Sequence, residues 1–460
     1  MCNEYRGAIK SEAYYDVVVC GGGCAGVMAA VASARAGAKT ILLERNHMIG
    51  GMATAGMVNP FMTCYDGKGE RQIVKGLFDE LVRRCEAHGA AIHPSKTGDG
   101  SPYACFYSGY NRRHNNVTPF NSNYIQLVML QMLEEAGAEY LINVNVVDIV
   151  KENSRVSGVI LFDGNDLCRY TSKIVIDCTG DGFVCYKAGT IKAACAEGTG
   201  YEVQPMSTGF SIYNADDGQI FQYIADHPEE RGMVFQSYVE RAMAEQGDGY
   251  IVPRNKIGLH KLLSDGEWNM NCTRIQNLNN TVPREYAKAY KQGLEQVFFL
   301  MDFIHTLPGL ENARLKQLSP VVGVRESRRM EGVYTLEAED LCDPPTEFED
   351  SIAMGSFLLD LHPASGTRAG IDTRPMVANC FQIPYRILVP KAVDGLLAAG
   401  RCVSASRDAM SSIRVMPQAF AMGQAAGEAA AICVQQGVEP RSIDVTLLQE
   451  RLAAHGAVIR

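Results

Sequence analysis

Basic residues do not dominate this 460-residue chain: 43 Lys and Arg stand against 52 Asp and Glu, a formal net charge of −9. A protein that grips nucleic acid by its phosphates needs a basic stripe, so that class is disfavoured. No apolar run reaches the roughly eighteen residues of a membrane span, so no membrane partner is expected. Close cysteine pairs are missing as well. The 15 cysteines include no Cys-x-x-Cys, and Cys20 and Cys24 are four apart. Zinc ribbons, iron–sulfur clusters and dithiol redox sites all use tight pairs, so no metal is expected. The odd, irregular cysteine set suits reduced thiols, and residues 1–10 lack the order of a signal peptide. A cytoplasmic location is the expectation. At 47% hydrophobic and 21% charged, the composition excludes disorder and a small disulfide-stapled fold.

Glycine, by contrast, is abundant: 44 residues, against a usual share of about 7%. The excess gathers at a few places. Residues 14–20, Tyr-Tyr-Asp-Val-Val-Val-Cys, read as a buried parallel strand. Gly21, Gly23 and Gly26 follow as G-x-G-x-x-G, then a small-residue helix from Val27 to Ala36 that Gly37 ends. Thr40 to Leu43 forms a second strand, closed by Glu44. In such a βαβ unit the first glycine makes the turn, the second admits a pyrophosphate and the third lets helix and strand touch. The helix start offers free N–H groups to the anion, and Glu44 stands where an acid binds ribose hydroxyls. An adenine dinucleotide is the implied ligand.

Three further segments favour FAD over NAD. Residues 45–58 carry a second glycine loop at Gly50 and Gly51, suited to a cofactor that continues past its pyrophosphate. Residues 173–182 form another strand and glycine turn. Residues 394–400 form one more, leading past Pro417 into a helix over 418–434 with Gly423 and Gly427. Its N-terminal dipole suits the N1/O2 edge of a reduced flavin.

Together these pieces resemble the FAD-dependent oxidoreductases of the two-dinucleotide-binding-domain type, which are distantly similar to fumarate reductase flavoproteins. The resemblance runs through Gly21–Met57, Gln126–Gly189, Asn271–Arg274, Val324–Asp340 and Ile383–Gly427. It implies an α/β fold: a Rossmann-like FAD-binding domain built from discontinuous segments, 1–190 and 386–460, with an inserted α+β substrate domain over 191–385. It implies cofactor contacts at Gly21, Gly23, Cys24, Ala25, Gly26, Glu44, Arg45, Gly50, Gly51, Met52, Val147, Thr179, Gly180, Asp181, Gly400, Arg401, Val415, Gln418 and Ala419. Relatives that attach FAD covalently use a histidine before the Gly-Gly pair. Here His47 lies closer to Gly50 than in that motif, so non-covalent FAD is favoured. Many members carry His-Glu where this chain has Arg407-Asp408.

Only one G-x-G-x-x-G has strand context, so no built-in nicotinamide domain is expected and electrons pass to or from a separate partner. The expected reaction is hydride transfer between flavin N5 and a small organic metabolite bearing a carboxylate or carbonyl, by C=C reduction or the reverse dehydrogenation. The alternative is an FAD-dependent RNA-modification or biosynthetic group-transfer protein, which the acidic balance disfavours. Arg274, Arg328 and Arg407 are candidates for carboxylate binding or proton donation, set against a structural Arg–Glu network. His362 is the best histidine for acid–base work, set against an ordinary loop residue. Gln204 to Ser207 and Tyr385-Arg386 are candidates for the flavin's substrate side. A helix is expected over 122–136 with Leu127, Leu130 and Leu133 as its stripe, and another over 283–306 with Leu294, Val297, Phe298, Met301 and Ile304. A strand is expected over 140–150, and residues 93–121 read as a long polar loop of functional type.

Overall fold

The structure is a computed structural model and describes residues 8–104, 116–193, 203–230, 232–245, 252–367 and 377–460. Its main sheet begins with the strand Ile9–Cys20, whose Val17, Val18, Val19 and Cys20 are fully buried. Parallel neighbours flank it: Thr40–Glu44 and then Glu139–Ile142 on one side, Leu167–Asp177 on the other. The late strand Leu396–Ala398 adds in parallel to Val175–Asp177. Arg155–Phe162 pairs antiparallel with the early half of Leu167–Asp177, and Asn145–Glu152 pairs antiparallel with Arg155–Phe162. Strands far apart in sequence, such as Leu167–Asp177 and Leu396–Ala398, thus end side by side. Their carboxyl ends, Cys20, Glu44, Asp177 and Ala398, share one edge, where open α/β sheets place their ligands.

The helix Cys24–Arg35 packs on this sheet and against the long helix Met416–Gln436. Only small residues permit that approach. A Cβ on Gly423 would lie 2.1 Å from Ala25 O, and one on Gly427 would lie 2.3 Å from Ala29 O. The first helix begins at Cys24, three residues before the expected start, so the glycine motif lies in its cap and first turn. The core around it also takes in Leu336, Leu341, Ile352, Ile383 and Leu388.

A second antiparallel sheet, in the order Arg314–Leu318, Phe210–Tyr213, Trp268–Asn271, Gly258–Lys261, carries its own core. Trp268, Met270, Val297, Leu300 and Ile304 bury its face beneath the helix Pro283–Ile304. The molecule is therefore a Rossmann-like α/β sheet of discontinuous segments with an α+β unit threaded through it.

Three expected patterns need correction. The helix Ser122–Ala136 buries Ile125, Val128, Met129, Met132 and Leu133, while Leu127 is 46% exposed. In Pro283–Ile304, Phe298 faces out, 62% exposed, and Leu300 and Phe303 take the inward places. The strand expected over 140–150 is two strands, because Asn143 adopts φ +60° between Ile142 and Asn145. Within the expected polar loop, residues 105–115 lie outside the described set, and His93 ties its near end to Asp79 (2.9 Å).

Candidate functional site: a cleft from the glycine turns to a polar end

One cleft, about 830 Å³, opens at the carboxyl edge of the main sheet and runs to the face of the second sheet. Its nucleotide-side wall is the glycine motif. Gly21 holds φ +100°, and a Cβ there would meet Cys178 O at 2.4 Å. A Cβ on Gly26 would fall 1.8 Å from Gly21 O, so Gly26 spaces helix against turn and does not line the cleft. Gly23 differs from both. Only Gly51 Cα, at 3.9 Å, comes near its missing Cβ, and the open space belongs to the cleft. The helix that follows has no side-chain cap and no acid in its first turn, so its start, with Cys24 and Ala25 on the cleft wall, suits an anion.

Glu44 closes the second strand as expected. Its Oε2 accepts from Gly22 N (2.6 Å), and its Oε1 accepts from Asn46 N and Nδ2 (2.7 Å each). Arg45, Gly51 and Met52 also line the cleft. Gly50 sits behind, its N–H donating to Gly22 O (2.7 Å) and so tying the second glycine loop to the first. Thr179, Gly180 and Asp181 form the middle of the wall. Asp181 accepts from Arg401 Nη2 (2.7 Å) and Asn280 Nδ2 (2.9 Å), with Arg45 at 3.6 Å. Arg401 and Arg45 outweigh burial and hold its carboxyl below the usual range. Gly400, Val415 and Ala419 complete the wall at the start of the long helix.

Four expected contacts do not line the cleft: Gly26, Gly50, Val147 and Gln418. Val147 sits where the ladder slips between Val146 and Asp148 and is 37% exposed; Val144, Asn145 and Val146 line the cleft in its place. Gln418 is fully buried and does not line it. His47 is exposed and outside the cleft.

The far end is polar. Ser207, His260, Asn269, Asn271, Arg325, Asp360, His362 and Arg414 line it. The second sheet supplies His260 and Asn269, which are paired across neighbouring strands. His362 Nε2 lies 3.2 Å from Asp360 Oδ2, and Arg414 Nη2 donates to the same oxygen (3.0 Å). Burial alone would raise Asp360, but His362, Arg414 and Arg325 hold it well below the carboxylate range. Burial pushes His362 down to about 3, with Arg325 and Arg254 adding to the effect and Asp360 opposing it.

Arg328 lines the cleft with its guanidinium 4.3 Å from the Tyr186 ring centre. Arg274 and Arg407 do not. Arg274 donates to the carbonyls of Gly366 (2.7 Å) and Pro363, bracing the His362 loop. Arg407 Nε donates to Glu326 Oε2 (3.2 Å), and Glu326 also pairs with Arg329 (2.8 Å), the structural network set against them. Of the substrate-side candidates, Ser207 lines the cleft. Gln204 accepts from His362 N (3.2 Å), Tyr385 donates to Pro440 O (2.9 Å) and Arg386 pairs with Asp350 (2.9 Å). Sequence reasoning missed Asp360, Arg414, His260 and Asn269. Asp360 and Arg414 carried no motif signal, and the two sheet residues could only be identified once the strands were paired.

A family model described as FAD dependent oxidoreductase matches residues 16–452. The chain belongs to the FAD-dependent oxidoreductase family. Solved structures similar to it include a geranylgeranyl bacteriochlorophyll reductase-like protein from Thermoplasma acidophilum. That protein is 16% identical, with 97% of this chain and 85% of that one covered, at a TM-score of 0.49. The p-nitrophenol 4-monooxygenase PnpA from Pseudomonas putida is 13% identical, with 97% and 85% covered, at 0.45. The flavin-dependent brominase Bmp2 is 12% identical, with 96% and 83% covered, at 0.47.

The cofactor of this family fits the cleft. The space above Gly23, the uncapped helix start and the buried Arg401 Nη1, which has no partner among the described residues, all suit a bound dinucleotide. Bound there, FAD supplies two-electron chemistry at its isoalloxazine ring. Among the described residues no group of three or more His, Cys, Asp or Glu could hold a metal, and no helix is long and apolar enough to cross a membrane.

Proposed function

We propose that this oxidoreductase exchanges a hydride between its flavin and a small organic anion, with a separate partner renewing the flavin. One observation carries the reading. Arg325 and Arg414 both act on the single carboxylate Asp360, and Arg328 lines the same cleft, a set of cations that suits a ligand carboxylate. The glycine wall, with Gly21, Gly23, Cys24, Ala25, Glu44, Gly51 and Thr179 to Asp181, orients the cofactor. Val415 and Ala419 lie at a helix start suited to negative charge on the reduced ring. Ser207, His260 and Asn269 shape the space for the reacting carbon, and His362 manages the proton. Arg274 and Arg407 act at a distance, through the loops they brace.

The test is an anaerobic panel of carboxylates and their amide or alcohol isosteres, offered to both redox forms while flavin absorbance is followed. The expected result is a response to carboxylates that fails for the isosteres and weakens in Arg328→Ala and Arg414→Ala with FAD still bound. Equal responses to charged and neutral compounds would overturn the reading.

A further inference from the structure

We infer that His362 is the proton acceptor of the cleft and that the substrate is a hydroxycarboxylate oxidised at its carbinol carbon, an inference that rests on the hydride-transfer reading above. The geometry sets the tautomer. An ionised carboxylate only accepts hydrogen bonds, so Asp360 Oδ2, 3.2 Å from His362 Nε2, requires the proton on Nε2. Nδ1 is left with its lone pair. It has no hydrogen-bond partner among the described residues, although the side chain is about 94% buried and lines the cleft. The groups around the ring are Asp360, Arg325 and Arg254, with Arg414 and Lys256 reaching it through Asp360 and His260 on the same cleft end. Gln204 Oε1 accepts the His362 backbone N–H (3.2 Å) and fixes the loop.

This surrounding is cationic and dry, so the imidazole is neutral at working pH. A neutral imidazole whose single N–H is engaged by a carboxylate has no proton to give a carbon. Reduction of a C=C bond needs such a donor, whereas oxidation of a hydroxyl needs an acceptor. The carbinol C–H leaves with its electron pair as hydride to the flavin. The O–H proton passes to Nδ1, and the C–O bond becomes C=O. The substrate loses two electrons, the flavin gains them, and Asp360 stabilises the imidazolium until its proton reaches solvent. A substrate carboxylate beside Arg325 and Arg414 also offsets the positive field that keeps His362 low, so binding itself makes His362 a better base.

Two measurements test this. In the ¹⁵N-labelled holoenzyme, imidazole spectra of wild type and His362→Gln identify this ring. The expected state is the Nε2–H tautomer, unprotonated at pH 5, with its pKa rising when oxalate is added. An Nδ1–H tautomer or ordinary titration near 6.5 would overturn the inference. Anaerobic mixing of the oxidised holoenzyme with glycolate, lactate, malate and 2-hydroxyglutarate should bleach the flavin with at least one of them. His362→Gln should slow that step about 100-fold or more without losing flavin, and Asp360→Asn should shift its acid limb. If no hydroxy acid bleaches it, but crotonate or fumarate reoxidises the reduced form, the inference fails and the hydride-transfer reading survives. Silence in both directions removes both.

Discussion

At the scale of single residues, contact distances set the outcome. Gly423→Ala would press its new Cβ into Ala25 O, a backbone atom that cannot swing aside. We expect a loss of about 1–3 kcal/mol or more, as in other overpacked cores, with a lower thermal midpoint and less FAD retained. Gly23→Ala has room on the protein side, so it should lower FAD content while the midpoint of the cofactor-free protein stays unchanged. The pair of variants separates packing from ligand space by calorimetry and flavin absorbance. His362 supplies a pH dependence. Buried, it titrates near 3 in the folded chain and near 6.5 unfolded, so only the unfolded chain takes up its proton between those values. Its contribution to stability is complete above pH 6.5 and is lost as pH falls toward 3. Asp360, also depressed, adds a loss in the same direction below the ordinary carboxylate range. The urea midpoint of wild type should therefore drop more steeply from pH 6.5 to 4.5 than that of His362→Gln; equal slopes would show an ordinary histidine.

At the scale of elements, the strand–turn–helix units were legible because each carries its own period and punctuation. Gly37 at φ +91° ends the first helix, and Asn121 caps Ser122–Ala136 through its side chain. The faces of Ser122–Ala136 and Pro283–Ile304 were less legible. Apolar residues occur on more than one side of each, and only the neighbouring element decides whether Leu133 or Leu127, Leu300 or Phe298, turns inward. Asn143 did offer a signal for the break, since asparagine enters the left-handed region more readily than most residues, but the apolar residues on both sides of it read as one strand. The segment before Pro283–Ile304 reaches over the cleft and donates Asn280 to Asp181 (2.9 Å). Asn280→Asp places like charges together, a repulsion of about 1 kcal/mol or more. FAD release should quicken several-fold, followed as the rise of free-flavin fluorescence; an unchanged rate would show that this link does not retain the cofactor.

For the whole molecule, the family places FAD in the chain, and purified protein should be yellow. Acid precipitation should leave the flavin in the supernatant, because His47 is exposed and lies outside the cleft. Flavin carried into the pellet would indicate a covalent bond. The cleft owes its existence to the threading of the chain. The nucleotide wall comes from the carboxyl edge of one sheet, and the polar end comes from a second sheet together with Arg325, Asp360, His362 and Arg414.

The amino-acid order by itself determined the nucleotide half of the site. Gly21, Gly23, Gly26 and Glu44 lie within one local βαβ unit, and short-range turn chemistry is written in adjacent residues. The roles of Arg274 and Arg407 were decided only by the fold. An arginine side chain serves a carboxylate ligand, a carbonyl or a glutamate equally well, and its partners Gly366 and Glu326 lie 92 and 81 residues away. The same holds for Asp360, His362 and Arg414. Their meeting needs a loop of the inserted unit to reach the start of the last long helix, and no local pattern in the chain encodes that distance.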